Sequence, residues 1–134
     1  MLGICGGYQM LGKGISDPDG IEGTSGKMNG LGYLDVETVM QTEKVVCQTT
    51  AYANHLECET SGYEIHMGET TGSDTERPFL KNKNKSLGAM TPNLMIAGVY
   101  VHGMFADDHF RMKYLSQFRN GILKQTAFLE GVEL

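Results

Sequence analysis

Gly3-Ile4-Cys5-Gly6-Gly7-Tyr8-Gln9-Met10-Leu11-Gly12 decides how the rest of the chain is read. The short apolar run Met1 to Ile4 leads into a cysteine bracketed by small residues, and a helix-compatible segment follows. The pattern predicts strand, sharp turn, helix: a nucleophile elbow. A residue on such a turn is held in a strained backbone conformation. Glycines two positions before and two after it remove Cβ atoms that would clash. The sulfur then stands at a helix N-terminus, where the dipole favours thiolate over thiol, and the N–H of Gly6 can face an oxyanion. An isolated cysteine is more often an inert buried thiol. Glycine at −2, +1 and +2 argues for reactivity here.

Working outward, 134 residues suit one domain with a single core. A net charge of −5 argues against non-specific nucleic-acid binding, and Lys81, Lys83 and Lys85 read as a solvated loop. No apolar run approaches the length of a membrane span and no basic leader precedes the first strand, which points to the cytoplasm. Cys5, Cys47 and Cys58 include no C-x-x-C, and His55, His66, His102 and His109 have no compact ligand spacing, so no metal site is expected.

Downstream, Gly6 to Leu11 predicts a helix stopped by Gly12 to Gly14, Asp17-Pro18-Asp19-Gly20 a turn, and Ile21 to Gly30 a loop. Strands are expected over Gly32 to Thr42 and Lys44 to Ala53, joined by a turn near Gln41 to Glu43. Further strands are expected over Ser61 to Thr71 and Leu94 to His102. Gly72 to Met90 reads as loop, with a short strand around Arg77 to Leu80. From an N-cap at Asp107 or Asp108, the residues Phe110, Tyr114, Leu115, Phe118 and Ile122 fall on one helical face, and Gly121 marks a frayed end.

A nucleophilic cysteine needs a base. His102 follows an apolar strand-like run and precedes Gly103, where a strand delivers a polar side chain to a sheet edge. His66, in Tyr63-Glu64-Ile65-His66, is the rival. Asp107, Asp108 or Glu64 could orient His102, and Glu64 could equally be a structural or gating residue.

GICGGYQMLG resembles the G-x-C-x-G-x-Q signature of class I glutamine amidotransferases, and with DPDGIEG, GYEIHMGET and GVYVHGMF it is similar to the cobyric acid synthase family. The resemblance implies an α/β, flavodoxin-like fold with a partly parallel sheet and a β-rich insertion from Gly32 to Thr71. It implies that Cys5 attacks the amide of glutamine to give a γ-glutamyl thioester and ammonia. His102 would protonate the leaving ammonia and then activate water, and Gly6 would supply an oxyanion N–H. Gln9 and Gly7 would contact substrate, and Glu64 and His66 would orient or gate.

In the wider class the histidine lies in H-x-E, whereas position +2 here is Met104, so the resemblance implies a Cys–His dyad. Complete domains of the family carry half a sheet before the elbow, with a second oxyanion donor. Residues 1–134 therefore read as part of a domain, with exposed sheet edges or self-association expected and with weak or no activity in isolation. A synthetase domain outside this chain would use ATP and magnesium to activate corrinoid carboxylates, and no cofactor is expected in the chain itself. The same residues admit the glutaminase of another amidotransferase, acting on cobyrinic acid a,c-diamide chemistry or a cell-wall precursor, or a non-catalytic interaction module.

Overall fold

The computed structural model describes residues 1–20 and 26–118. The opening stretch forms a three-residue strand β1 (Leu2–Ile4) and a six-residue helix α1 (Gly6–Leu11), with Cys5 between them. Helix α1 ends at Gly12, and β2 (Gly14–Asp17) follows at once. Within the segment expected as loop, Gly26–Asn29 is a strand, β3, antiparallel to β2, because the Asp17–Gly20 turn reverses the chain onto it.

One long hairpin replaces the expected separate strands. β4 (Glu37–Ala53) and β5 (Cys58–Thr71) pair antiparallel and are joined by a 3-10 turn, Asn54–Leu56. No turn forms at Gln41 to Glu43; the chain stays extended and its register shifts between Met40 and Val45. The burial pattern explains this irregularity. Thr38 and Met40 at one end and Thr49, Ala51 and Ala53 at the other are buried, whereas Gln41 to Lys44 are exposed. Only the ends are held by packing, so the middle can absorb three extra residues, four on β4 facing one on β5.

The segment expected as loop between Gly72 and Met90 is also structured. A 3-10 turn, Ser73–Glu76, is followed by the small hairpin β6 (Lys81–Asn82) and β7 (Lys85–Ser86), then β8 (Gly88–Met90). Short, interrupted strands give no period-2 signal to read. Leu94 to His102 divides into β9 (Ala97–Val99) and β10 (Val101–His102).

Two sheets result. The smaller has the order β1-β9-β8, with β1 and β9 parallel and β8 antiparallel to β9; among the described residues β1 is paired on one side only. The larger runs β10-β5-β4-β2-β3, with β6 and β7 beside β4. In it β2 is parallel to β4 and the other pairs are antiparallel. The chain changes sheet at Tyr100, whose N–H donates to Leu87 O at 2.8 Å and whose carbonyl accepts from Ile65 N at 3.3 Å. That single residue couples the sheets and sets His102 against β5.

α1 buries Tyr8 and Leu11 against Leu34, Val36, Ala89 and Tyr100. A second cluster gathers Phe79, Leu80, Leu87, Val99, Val101 and Phe110, each side chain contributing roughly 1.5–3 kcal/mol by leaving water. Phe110 begins the apolar stripe of helix α2 (Asp108–Gln117), capped as expected by Asp107, whose carboxylate accepts from Phe110 N at 3.0 Å. Tyr114 packs on Phe79 and Phe105, and Phe118 on Tyr114, but Leu115 is exposed because it lies to one side of this i, i+4 line. Gly121 and Ile122 lie outside the described residues. Among the described residues no helix is long and apolar enough to cross a membrane.

Candidate active site at the Cys5 elbow

Cys5 has φ 54° and ψ −109°, a region costly for any residue with a Cβ, of order 1–3 kcal/mol. It is held there from both sides. Its N–H donates to Val99 O at 2.8 Å, extending the β1–β9 pairing by one residue, while its carbonyl accepts the first helical bond, from Gln9 N at 3.1 Å. That bond leaves the N–H groups of Gly6, Gly7 and Tyr8 outside the helical ladder.

The two elbow glycines are not equivalent. A Cβ on Gly3 would lie 2.7 Å from the backbone of Gly7 and from Leu11 Cδ1, so strand and helix can approach this closely only with glycine at position 3. A Cβ on Gly7 would meet nothing within 4 Å. The clash expected at Gly7 does not arise, because Gly7 offers its backbone to Gly3 while its own Cβ direction is open. Gly3→Ala is expected to destabilise the domain by about 1–3 kcal/mol, and Gly7→Ala by less than about 0.5 kcal/mol, in chemical denaturation.

The Cys5 Sγ lies 2.6 Å from His102 Nε2 and donates to Ile65 O at 3.3 Å. His102 is exposed at the end of β10, and Gly103, at φ 79°, turns the chain away behind it. Burial pushes the Cys5 thiol up to about 11, opposite to the lowering expected from the helix N-terminus. A six-residue helix offers a weak field, and the desolvation of a half-buried sulfur outweighs it. With its pKa raised in this way, Cys5 rests as the neutral thiol beside His102. Alkylation of Cys5 in the substrate-free protein is accordingly expected to keep rising with pH towards about 11. A plateau at neutral pH, read by mass spectrometry, would contradict this.

Of the residues read as rivals or helpers, none touches His102. His66 donates from Nδ1 to Gly68 O at 2.7 Å, and its Nε2 lies within hydrogen-bond distance of Glu64 Oε2, at 2.6 Å. Glu64, 3% exposed, also accepts from Lys85 Nζ at 3.1 and 3.0 Å. Asp107 caps α2 and Asp108 pairs with Arg111. Lys85 therefore departs from the solvated-loop reading, because the β6–β7 hairpin folds it over a buried carboxylate.

Gln9 points its amide at the protein, donating from Nε2 to the Tyr100 hydroxyl at 3.1 Å, which is also 2.5 Å from Thr70 Oγ1. Tyr100 stacks on His66 with ring centroids 4.0 Å apart and meets Tyr8 edge-on at 4.8 Å. Beside these rings is a cavity of about 340 Å³, lined by Tyr8, Glu64, His66, Thr70, Lys85 and Tyr100 among others. Tyr100 and Lys85 escaped the sequence reading; the first is hidden in an apolar run and the second in a basic one.

The model of the CobB/CobQ-like glutamine amidotransferase domain family matches residues 1–110. The chain is 45% identical, over 99% of its length, to the cobyric acid synthase of Hyphomonas neptunium, of which it covers 27%. It is 48% identical over 96% of its length to that of Jannaschia sp. and 51% identical over 86% to that of Brucella anthropi, covering 26% and 24% of those proteins. The chain thus spans about a quarter of the length of the curated relatives it matches. With the elbow, the mixed sheets and a match over most of the sequence, the chain belongs to the CobB/CobQ-like glutamine amidotransferase domain family, which has the class I glutamine amidotransferase fold.

Proposed function

We propose that the chain is the glutaminase portion of a cobyric acid synthase and that Cys5 and His102 perform the hydrolysis. The observation that carries this reading is the 2.6 Å approach of Cys5 Sγ to His102 Nε2 across two different sheets, at a backbone conformation that costs energy. As Sγ bonds to the carboxamide carbon of glutamine, its proton passes to Nε2. The oxyanion is met by the free N–H of Gly6. His102 returns the proton to nitrogen, the C–N bond breaks, and ammonia leaves a γ-glutamyl thioester. Water then attacks the thioester as His102 takes its proton, the C–S bond breaks, and glutamate departs with the thiol restored. Gly7 and Gln9 lie beside the bound glutamine, with Gln9 held by Tyr100.

Ammonia would pass to a synthetase part of the polypeptide outside this chain, which binds ATP and magnesium and amidates corrinoid side-chain carboxylates. Among the described residues no group of three or more His, Cys, Asp or Glu could hold a metal ion, and none is assigned to that role. The test is amide transfer by the full-length polypeptide with glutamine, ATP and magnesium. Glutamate and new corrinoid amide groups should form in equal amounts. Transfer to a cell-wall precursor and not to a corrinoid carboxylate would overturn the assignment of acceptor.

A further inference from the structure

Three segments bring the reactive pair together: α1 begins at Cys5, β10 ends at His102, and β5 lies between them. β5 pairs with β10 in the register Val101 with Glu64 and His102 with Tyr63, and its Ile65 carbonyl accepts from Cys5 Sγ. The backbone from Tyr63 to Ile65 is thus the common template for both partners.

On the other side of β5, a continuous chain of contacts runs through the same elements. Lys85 on β7 donates both bonds to Glu64, Glu64 is hydrogen-bonded to His66, and His66 stacks on Tyr100. Tyr100 immediately precedes β10 and holds Gln9 of α1. Every segment that carries the Cys5–His102 pair is gripped once by this chain.

We infer that Lys85 is a positioning residue of the Cys5–His102 site, acting through the Glu64–His66–Tyr100 chain of contacts without touching either reactive group. The inference rests on the glutaminase reading above. Lys85 has a half-exposed side chain and lies on a two-stranded hairpin at the surface, so its loss leaves the core intact. Its removal takes the Lys85 ammonium from a buried carboxylate. Burial raises the Glu64 carboxyl, and the bonds from His66 and Lys85 outweigh that and hold it below the usual carboxylate range. The groups facing Glu64 are His66 on its own strand, Lys85 from β7 and, more distantly, the Cys47 thiol from β4 at 3.8 Å; Glu43 and Glu69 line the same cavity. Without Lys85 burial gains weight, the carboxyl takes up a proton at higher pH, and its bond to His66 weakens.

The experiment compares the full-length polypeptide with its Lys85→Met and Lys85→Arg forms in glutamine hydrolysis across pH. Lys85→Met should lower kcat by roughly 10- to 100-fold with KM within about twofold, and should move the acid limb of the kcat profile to higher pH. Lys85→Arg should restore most of the rate and the original limb, because it keeps the charge. Melting temperatures separate a positioning effect from general unfolding. If Lys85→Met matches the parent in kcat and in pH profile, or if Lys85→Arg fails as badly as Lys85→Met, the positioning role is wrong. If the parent itself neither hydrolyses glutamine nor labels at Cys5 with a glutamine-analogue electrophile, the glutaminase reading fails and this inference with it.

Discussion

Replacing Cys5 by alanine in the full-length polypeptide is expected to lower glutamine hydrolysis by on the order of 10⁴-fold or more, while amidation driven by added ammonia continues. The size of the loss follows from what surrounds the sulfur. Of the other cysteines, Cys58 is buried and bonds to Glu59 O, and Cys47 faces Glu64, so neither can substitute as nucleophile. His66 is committed to Glu64 and Gly68. Ammonia bypasses the step proposed for Cys5, so its use measures whether the rest of the polypeptide is intact. The backbone at φ 54° supplies a companion result: Cys5→Gly should lose as much activity as Cys5→Ala yet unfold at about 1 kcal/mol higher stability, because glycine relieves the strain that alanine retains. Undiminished glutamine hydrolysis in either variant would remove Cys5 from the mechanism.

Gly62→Ala is expected to reduce glutamine hydrolysis by roughly 100-fold and to cost about 1–3 kcal/mol in stability. A Cβ at this position would stand 2.2 Å from His102 O and 2.8 Å from Val101 Cγ1. The first of these is backbone, which cannot rotate away. β5 and β10 must therefore separate or slide, and among the described residues β10 has no other strand neighbour to hold it. The displaced residue is the one whose imidazole sits against the nucleophile, so a stability loss small enough to leave the protein folded still moves Nε2 away from Sγ. Circular dichroism and the kinetics should be read together. A folded Gly62→Ala protein with parental kcat would show that His102 does not depend on the β5–β10 register.

The elbow and α2 were legible in the sequence because each is local. Cys5 with Gly3 before it is a turn specified within five residues, and Asp107 capping an apolar i, i+4 line is specified within twelve. The β4–β5 strands were legible as β-rich sequence, but not their continuity through Gln41 to Lys44, where exposed polar residues resemble a turn. The segment after Gly72 was illegible because its strands are two or three residues long. The bond of Gln9 to Tyr100 was not legible, since the two are 91 residues apart.

By itself, then, the sequence determined the cysteine elbow, the strained turn that presents Cys5, the two candidate histidines and the family whose motifs they match. Tertiary structure brought one of the histidines to the cysteine: the change of sheet at Tyr100 carries His102 to within 2.6 Å of Cys5, while Glu64 and Gly68 hold His66. It alone revealed Lys85 as the partner of a buried carboxylate. The physical reason is one of range. Backbone strain and helix capping are written in neighbouring residues, whereas hydrogen bonds between strands that meet across two sheets depend on a register that no single segment encodes.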